Sequence, residues 1–169
     1  MRAWAPAVLI ALAAGCRRAA PPRSEEPQQR LEGFALSQST LGSPAWDLEA
    51  RSATLSEGDR VAQLNAPALA FYKNKKKVST VTARAGIVRT DTYDVTLSSD
   101  VVVHSLEDQS ALMTSELRYS SQRKLFLTDK DVLVKRPGGT LRGTGLEASP
   151  DLSDIRVFNQ RTVVEKDAR

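Results

Sequence analysis

The sequence predicts an all-β fold, an antiparallel meander of evenly spaced strands joined by short links. Three observations carry this. From Trp46 onward Thr, Val, Leu and Ser dominate, and no helical period appears. Apolar residues alternate at period two in several runs. Those runs are about a dozen residues long and are split by turn chemistry.

Strands are expected at 46–56, 60–72, 77–89, 93–104, 111–119, 124–135, 140–149 and 153–165. In the third, Val81, Ala83, Ala85 and Ile87 share one face and alternate with Thr82, Arg84 and Gly86. In the fourth, Val95, Leu97, Val101 and Val103 share a face that Ser99 interrupts. Leu125 with Leu127, Val132 with Val134, and Ile155 with Val157 alternate in the same way. The run Lys73 to Lys77 reads as a solvated hairpin tip, with contact to anionic lipid headgroups as the alternative. Ser121-Gln122-Arg123 and Pro137-Gly138-Gly139 read as connectors, and Asp129-Lys130-Asp131 as a turn. A weak repeat of about 30 residues aligns Gly86-Ile87, Glu116-Leu117 and Gly145-Leu146, and with them Val95–Leu97, Leu125–Leu127 and Ile155–Val157.

The N-terminus stands apart from this pattern. Arg2 precedes an uncharged run from Ala3 to Gly15, which is too short to span a bilayer but has the dimensions of a secretory apolar region. It ends in Ala13-Ala14-Gly15-Cys16, which resembles a bacterial lipobox cut before an acylated cysteine. An ordinary signal peptide with an incidental cysteine is the alternative. Residues 1–15 are therefore expected to be a lipoprotein signal peptide, 16–36 a lipid-anchored linker and 37–169 the folded domain. Three prolines and mixed charge between Arg17 and Arg30 give the linker no apolar face with which to offset its ordering entropy.

Composition excludes much chemistry. The chain has 169 residues, 24 Lys and Arg against 20 Asp and Glu, one His and one Cys. One Cys forms no intramolecular disulfide, and one Cys with one His builds no Cys/His zinc site. A net charge of +4 without a basic stripe is weak support for nucleic-acid binding. His104 ends a strand with no nucleophile or orienting group in its local sequence, and reads as a surface residue. Gly138–Gly145 lacks the Lys and the helix of a phosphate loop, so its glycines read as sites of close backbone approach or a bulge. No catalytic site, metal site or cofactor motif is legible. With aromatics at 5%, the core must be largely aliphatic.

A family resemblance adds to this reading. Trp46-Asp47-Leu48-Glu49-Ala50-Arg51-Ser52-Ala53 resembles the W-x-L-x-A-x-x-A opening of LptC, a component of the lipopolysaccharide export machine. In the family's order there follow Leu64–Tyr72, Thr82–Gly86, Leu97–Val103, Leu112–Tyr119, Leu127–Val132 and Gly143–Leu146. Ser99 stands where the family commonly has Gly, and the apparent lipobox stands where well-known members carry a transmembrane helix.

The resemblance implies an open, V-shaped β-jellyroll of about 8 long or up to about 15 shorter strands. It implies that lipopolysaccharide is accepted from an inner-membrane ABC transporter and passed to a periplasmic bridge protein through edge-to-edge strand pairing. Exposing one methylene to water costs roughly 0.8 kcal/mol, so such cargo needs an apolar lining. Ala83, Ala85, Ile87, Val95, Leu97, Val101, Val103, Leu117, Leu125, Leu127, Val132 and Val134 are the candidate lining. Val157, Val163 and Val164 mark a lightly charged C-terminal edge suited to strand addition by a partner. The competing reading is a scaffold lipoprotein whose same residues pack into a closed core without cargo. A soluble bridge protein is a third, disfavoured by a cysteine placed for acylation.

Overall fold

The structure, a computed structural model, describes residues 28–56 and 58–163. These form twelve strands in one antiparallel sheet and no helix. In chain order they are β1 (Gln28–Thr40), β2 (Ser43–Ser56), β3 (Val61–Asn65), β4 (Ala68–Lys73), β5 (Lys76–Thr82) and β6 (Ala85–Arg89). Then come β7 (Val95–Ser105), β8 (Ala111–Ser120), β9 (Leu125–Arg136), β10 (Gly139–Ala148), β11 (Ile155–Val157) and β12 (Arg161–Val163).

The sheet is bent into two facing layers by strands that change partners halfway. The first half of β2 pairs with β4 and its second half with β3. The first half of β7 pairs with β6 and its second half with β5. Together these pairings close a ring, β2-β4-β5-β7-β6-β3. Layer I contains β4 and β5, and layer II contains β3 and β6. Long strands β1, β8, β9 and β10 extend both layers outward. The bends fall at irregular backbone: Gly33 of β1, Ser99-Asp100 of β7 and Gly145 of β10 all have positive φ. The register also shifts between Ser98 and Val101, between Thr114 and Arg118, and between Thr144 and Leu146. The architecture is that of a V-shaped jellyroll: the bends form its spine, and the hairpin tips of the two layers form its mouth.

Aromatic side chains tie the layers together. Phe71 of layer I meets Tyr119 and Phe126 of layer II edge-on, with ring centroids 4.8 and 5.1 Å apart. Trp46 of layer I meets Tyr119 at 6.5 Å. Each such pair contributes about 0.5–1.5 kcal/mol beyond its buried area.

Several expectations need correction. Residues 28–36, read as linker, are strand: Phe34 and Leu36 are half-buried and β1 pairs with β2 along its length. The earlier part of that linker, Cys16 and the signal segment lie outside the described residues. The expected strands 60–72 and 77–89 are each two strands, because at Ala66-Pro67 and Ala83-Arg84 the chain crosses between layers. The crossings brace each other: the Ala66 N–H donates to the Arg84 carbonyl at 2.8 Å and the Ala83 N–H to the Pro67 carbonyl at 3.2 Å. Asp129-Lys130-Asp131 is not a turn but the exposed bend of β9.

The last expected strand, 153–165, is likewise two. β11 pairs with the end of β10 and β12 with its beginning. Between them Phe158 follows the β10 irregularity, its N–H donating to the Gly145 carbonyl at 2.9 Å. A Cβ at Gly143 would clash with Val157 Cγ1, so this glycine is what lets β11 lie close. The repeat of about 30 residues does not persist in burial, since Ile87 is exposed whereas Leu117 and Leu146 are buried.

The interlayer ring contacts predict a sharp contrast in stability. Phe71→Ala should cost about 3–5 kcal/mol in urea unfolding, whereas Ile87→Ala, on the outer face, should cost less than about 1 kcal/mol. Comparable losses for the two would contradict the assignment of Phe71 to the interlayer core.

Candidate functional site

The inner face of the jellyroll is a continuous apolar surface. In layer I one cross-strand row runs Leu36, Leu48, Leu69, Val81, Val103, Leu112, Val134, Leu141, from β1 to β10 without a break. In layer II a second row runs Leu31, Ala53, Leu64, Gly86, Leu97, Leu117. A Cβ at Gly86 would press on Leu97 Cδ2 at 3.0 Å and Pro67 Cγ at 3.2 Å, so the gap in the second row is structural.

Seven of the expected lining residues lie together in this interior. Val95, Leu97, Val101, Val103, Leu117, Val132 and Val134 are between 0% and 4% exposed. Ala83 and Ala85 are half-buried beside and beyond the layer crossing. Ile87 is not with them. The crossing at Ala83-Arg84 reverses the alternation, so Gly86 and Val88 face in and Ile87 is 45% exposed. Leu125 and Leu127 are half-buried on the outer face, because the residue between them, Phe126, turns inward. Sequence reasoning passed over Leu48, Leu69, Leu112 and the aromatics Phe71, Tyr119 and Phe126. For Leu48 and Phe71 a signal was present, since Trp46 with Leu48 and Leu69 with Phe71 alternate at period two.

At the mouth of the V the two layers part around a cavity of about 400 Å³. Phe71, Val78 and Tyr119 contribute its apolar walls, and Lys73, Lys124 and Asp151 its charged ones. Burial, aided by the Asp94 carboxylate, pushes the Tyr119 phenol up to about 12.

Polar contacts cross the mouth. The Lys73 ammonium of layer I donates to the Asp151 carboxylate of layer II at 2.6 Å. The Gln38 amide and the Ser121 hydroxyl exchange hydrogen bonds of 3.1 and 3.2 Å. The Arg136 guanidinium donates to the Leu152 carbonyl at 2.9 Å. Asp151 and Leu152 belong to the β10–β11 loop, residues 149–154, which folds across the opening as a strap. Burial raises the Asp151 carboxyl. That is outweighed by the Lys73 ammonium, the Ser149 and Ser153 hydroxyls and the Ser153 N–H, which hold it well below the usual carboxylate range.

The expected edge also has a definite place. Val157 is buried against β10 in β11, Val163 pairs with Thr140 in β12, and Val164 lies outside the described residues. Among the described residues β11 and β12 form one border of the sheet, and β1, whose strand neighbour is β2, forms the other. His104 is exposed on β7, and Lys75 to Lys77 lie exposed at the β4–β5 tip.

No curated protein matches this sequence. A family model does. The model of LptC, described as lipopolysaccharide-assembly, LptC-related, matches residues 7–165, nearly the whole chain. That family is one of transport proteins and is not a known enzyme family. The chain belongs to the LptC-related family of lipopolysaccharide assembly proteins.

Proposed function

We propose that this protein accepts lipopolysaccharide from the inner-membrane ABC transporter and passes it to the periplasmic bridge protein, holding the acyl chains between the two layers. The observation that carries the reading is the unbroken apolar row of layer I, which runs from the β1 border to β10, one strand short of the β12 border. A carrier needs such a row because each exposed methylene costs roughly 0.8 kcal/mol in water. It also needs borders on which the row can continue into neighbouring jellyrolls. β1 would face the transporter, and the 155–165 segment bearing Val157, Val163 and Val164 would receive the bridge protein by strand addition. ATP hydrolysis belongs to the transporter. Cys16, acylated after cleavage of residues 1–15, anchors the domain on the periplasmic side of the inner membrane. No cofactor is required.

A second reading is favoured by the tight packing of Val95, Val103 and Leu112, all at 0% exposure. On that reading the layers form a permanent core and the protein is a scaffold lipoprotein without cargo. The two readings differ in whether the layers part to admit a lipid.

Photo-crosslinking separates them. A photoreactive residue at Val78 or Leu97 should yield lipopolysaccharide adducts only while a reconstituted transporter hydrolyses ATP. Added bridge protein should then lower those adducts, and a probe at the outward Ile87 should give none. Absence of adducts at every inward position would leave the scaffold reading in possession. For the anchor, radiolabelled palmitate should enter the wild-type chain and be lost in Cys16→Ser; labelling of both would exclude acylation at this residue.

A further inference from the structure

The strap across the mouth is built unlike an ordinary loop. Its turn is closed by the Leu152 N–H donating to the Ser149 carbonyl at 2.9 Å, and Leu152 is fully buried although its φ is 58°. Asp151 is only 6% exposed, and its two oxygens have different partners. Oδ1 accepts from the Ser149 hydroxyl at 2.6 Å, the Ser153 hydroxyl at 2.7 Å and the Ser153 N–H at 3.1 Å. Oδ2 accepts from Lys73 alone among the described residues, at 2.6 Å. The carboxylate therefore keeps three donors if Lys73 leaves it.

Lys73 is the exposed partner of the pair. Its side chain is 60% exposed, and an ammonium on a four-carbon stem is free to swing between acceptors. Lys124 borders the same cavity, so two cations face an apolar floor of Phe71, Val78 and Tyr119. A phosphate monoester carries up to two negative charges and three acceptor oxygens, against one charge on a carboxylate. It can outcompete Asp151 for Lys73 while an attached alkyl chain enters the cavity.

We propose that the mouth cavity is a binding site for the phosphate end of an acylated lipid, at which Lys73 exchanges the Asp151 carboxylate for the lipid phosphate. Once the exchange has occurred, Asp151 is a buried anion beside a second anion. Their repulsion pushes the strap away from layer I, and the cargo's own headgroup opens the mouth. The inference rests on the lipid-carrier reading and adds to it a recognition step with a named cation, a named competitor and a moving segment.

The exchange makes a prediction that a merely structural ion pair does not: the two partners' substitutions act in opposite directions. Titration of the full chain carrying Cys16→Ser with dodecyl phosphate below its micelle concentration should shift the amide resonances of Val78 and Tyr119. Lys73→Met should weaken binding about tenfold or more, and Lys73→Arg should stay within about threefold of the parent. Asp151→Asn, which removes the competing anion and keeps the shape, should tighten binding about threefold or more. Dodecyl maltoside should respond to none of the three. Inorganic phosphate should bind far more weakly than dodecyl phosphate, which marks the site as one for a lipid headgroup. Weakening by both Lys73→Met and Asp151→Asn would overturn the exchange, as would equal affinity for inorganic phosphate. Because the titration requires no transporter, it can fail while the crosslinking succeeds, and the reverse.

Discussion

The contact on which this structure depends is the aromatic cluster between the layers. A chain with two Trp, three Tyr and four Phe places Trp46, Phe71, Tyr119 and Phe126 at one locus, three of them mutually edge-on. Backbone pairing alone would hold twelve strands in a sheet but would not fold that sheet on itself. The bends at Gly33, Ser99-Asp100 and Gly145 permit the fold, and the aromatic contacts near the mouth hold it. Aliphatic rows then fill the space from the cluster back to the spine. Edge-on ring pairs add about 0.5–1.5 kcal/mol each beyond their buried area, so the cluster is a concentrated source of interlayer adhesion.

That constraint explains how far the sequence could be read. Strand identity, the hairpin at Lys73–Lys77 and the close approach at Gly143 and Gly145 were legible because period-two alternation and turn chemistry are local. The layer crossings were not. Pro67, which has no N–H for a ladder, was an unused cue to the first crossing, whereas Ala83-Arg84 looks like the ordinary interior of a long strand; each moves the chain to the opposite layer and resets which face is inward. Ile87 was misplaced for this reason. Leu125 and Leu127 were misplaced for another: two leucines flanking Phe126 give no local cue to which face holds the core, and the answer comes from Tyr119 across the strand pair. β1 was missed because its first half is polar and follows a proline-rich segment, although Phe34 and Leu36 already alternate.

Behind the mouth cavity the interior is closed by side chains. Residues read as lining a groove are packed against one another, so lipid chains and protein side chains compete for the same apolar surface. This is compatible with transport, because cargo that replaces side-chain contacts with its own methylenes costs little net hydrophobic energy. What must be overcome is the interlayer adhesion and the polar bridges at the mouth, Lys73–Asp151, Gln38–Ser121 and Arg136–Leu152. If the protein carries lipid as proposed, that work is supplied from outside, by the flux of lipid that the transporter drives with ATP. On that proposal the family's transport role and the closed interior would correspond to two states of one jellyroll.

The central claim is that the two layers part when lipid enters, and the distance between their tips tests it most directly. Spin labels at Asn74, on the β4–β5 tip of layer I, and Gln122, on the β8–β9 tip of layer II, report that distance by pulsed dipolar spectroscopy. Lipopolysaccharide loaded by an active transporter should shift the distribution to longer distances, and transfer to the bridge protein should restore it. A distribution unchanged in chains shown to carry lipopolysaccharide would contradict the account, because the lipid would then be held somewhere other than between the layers.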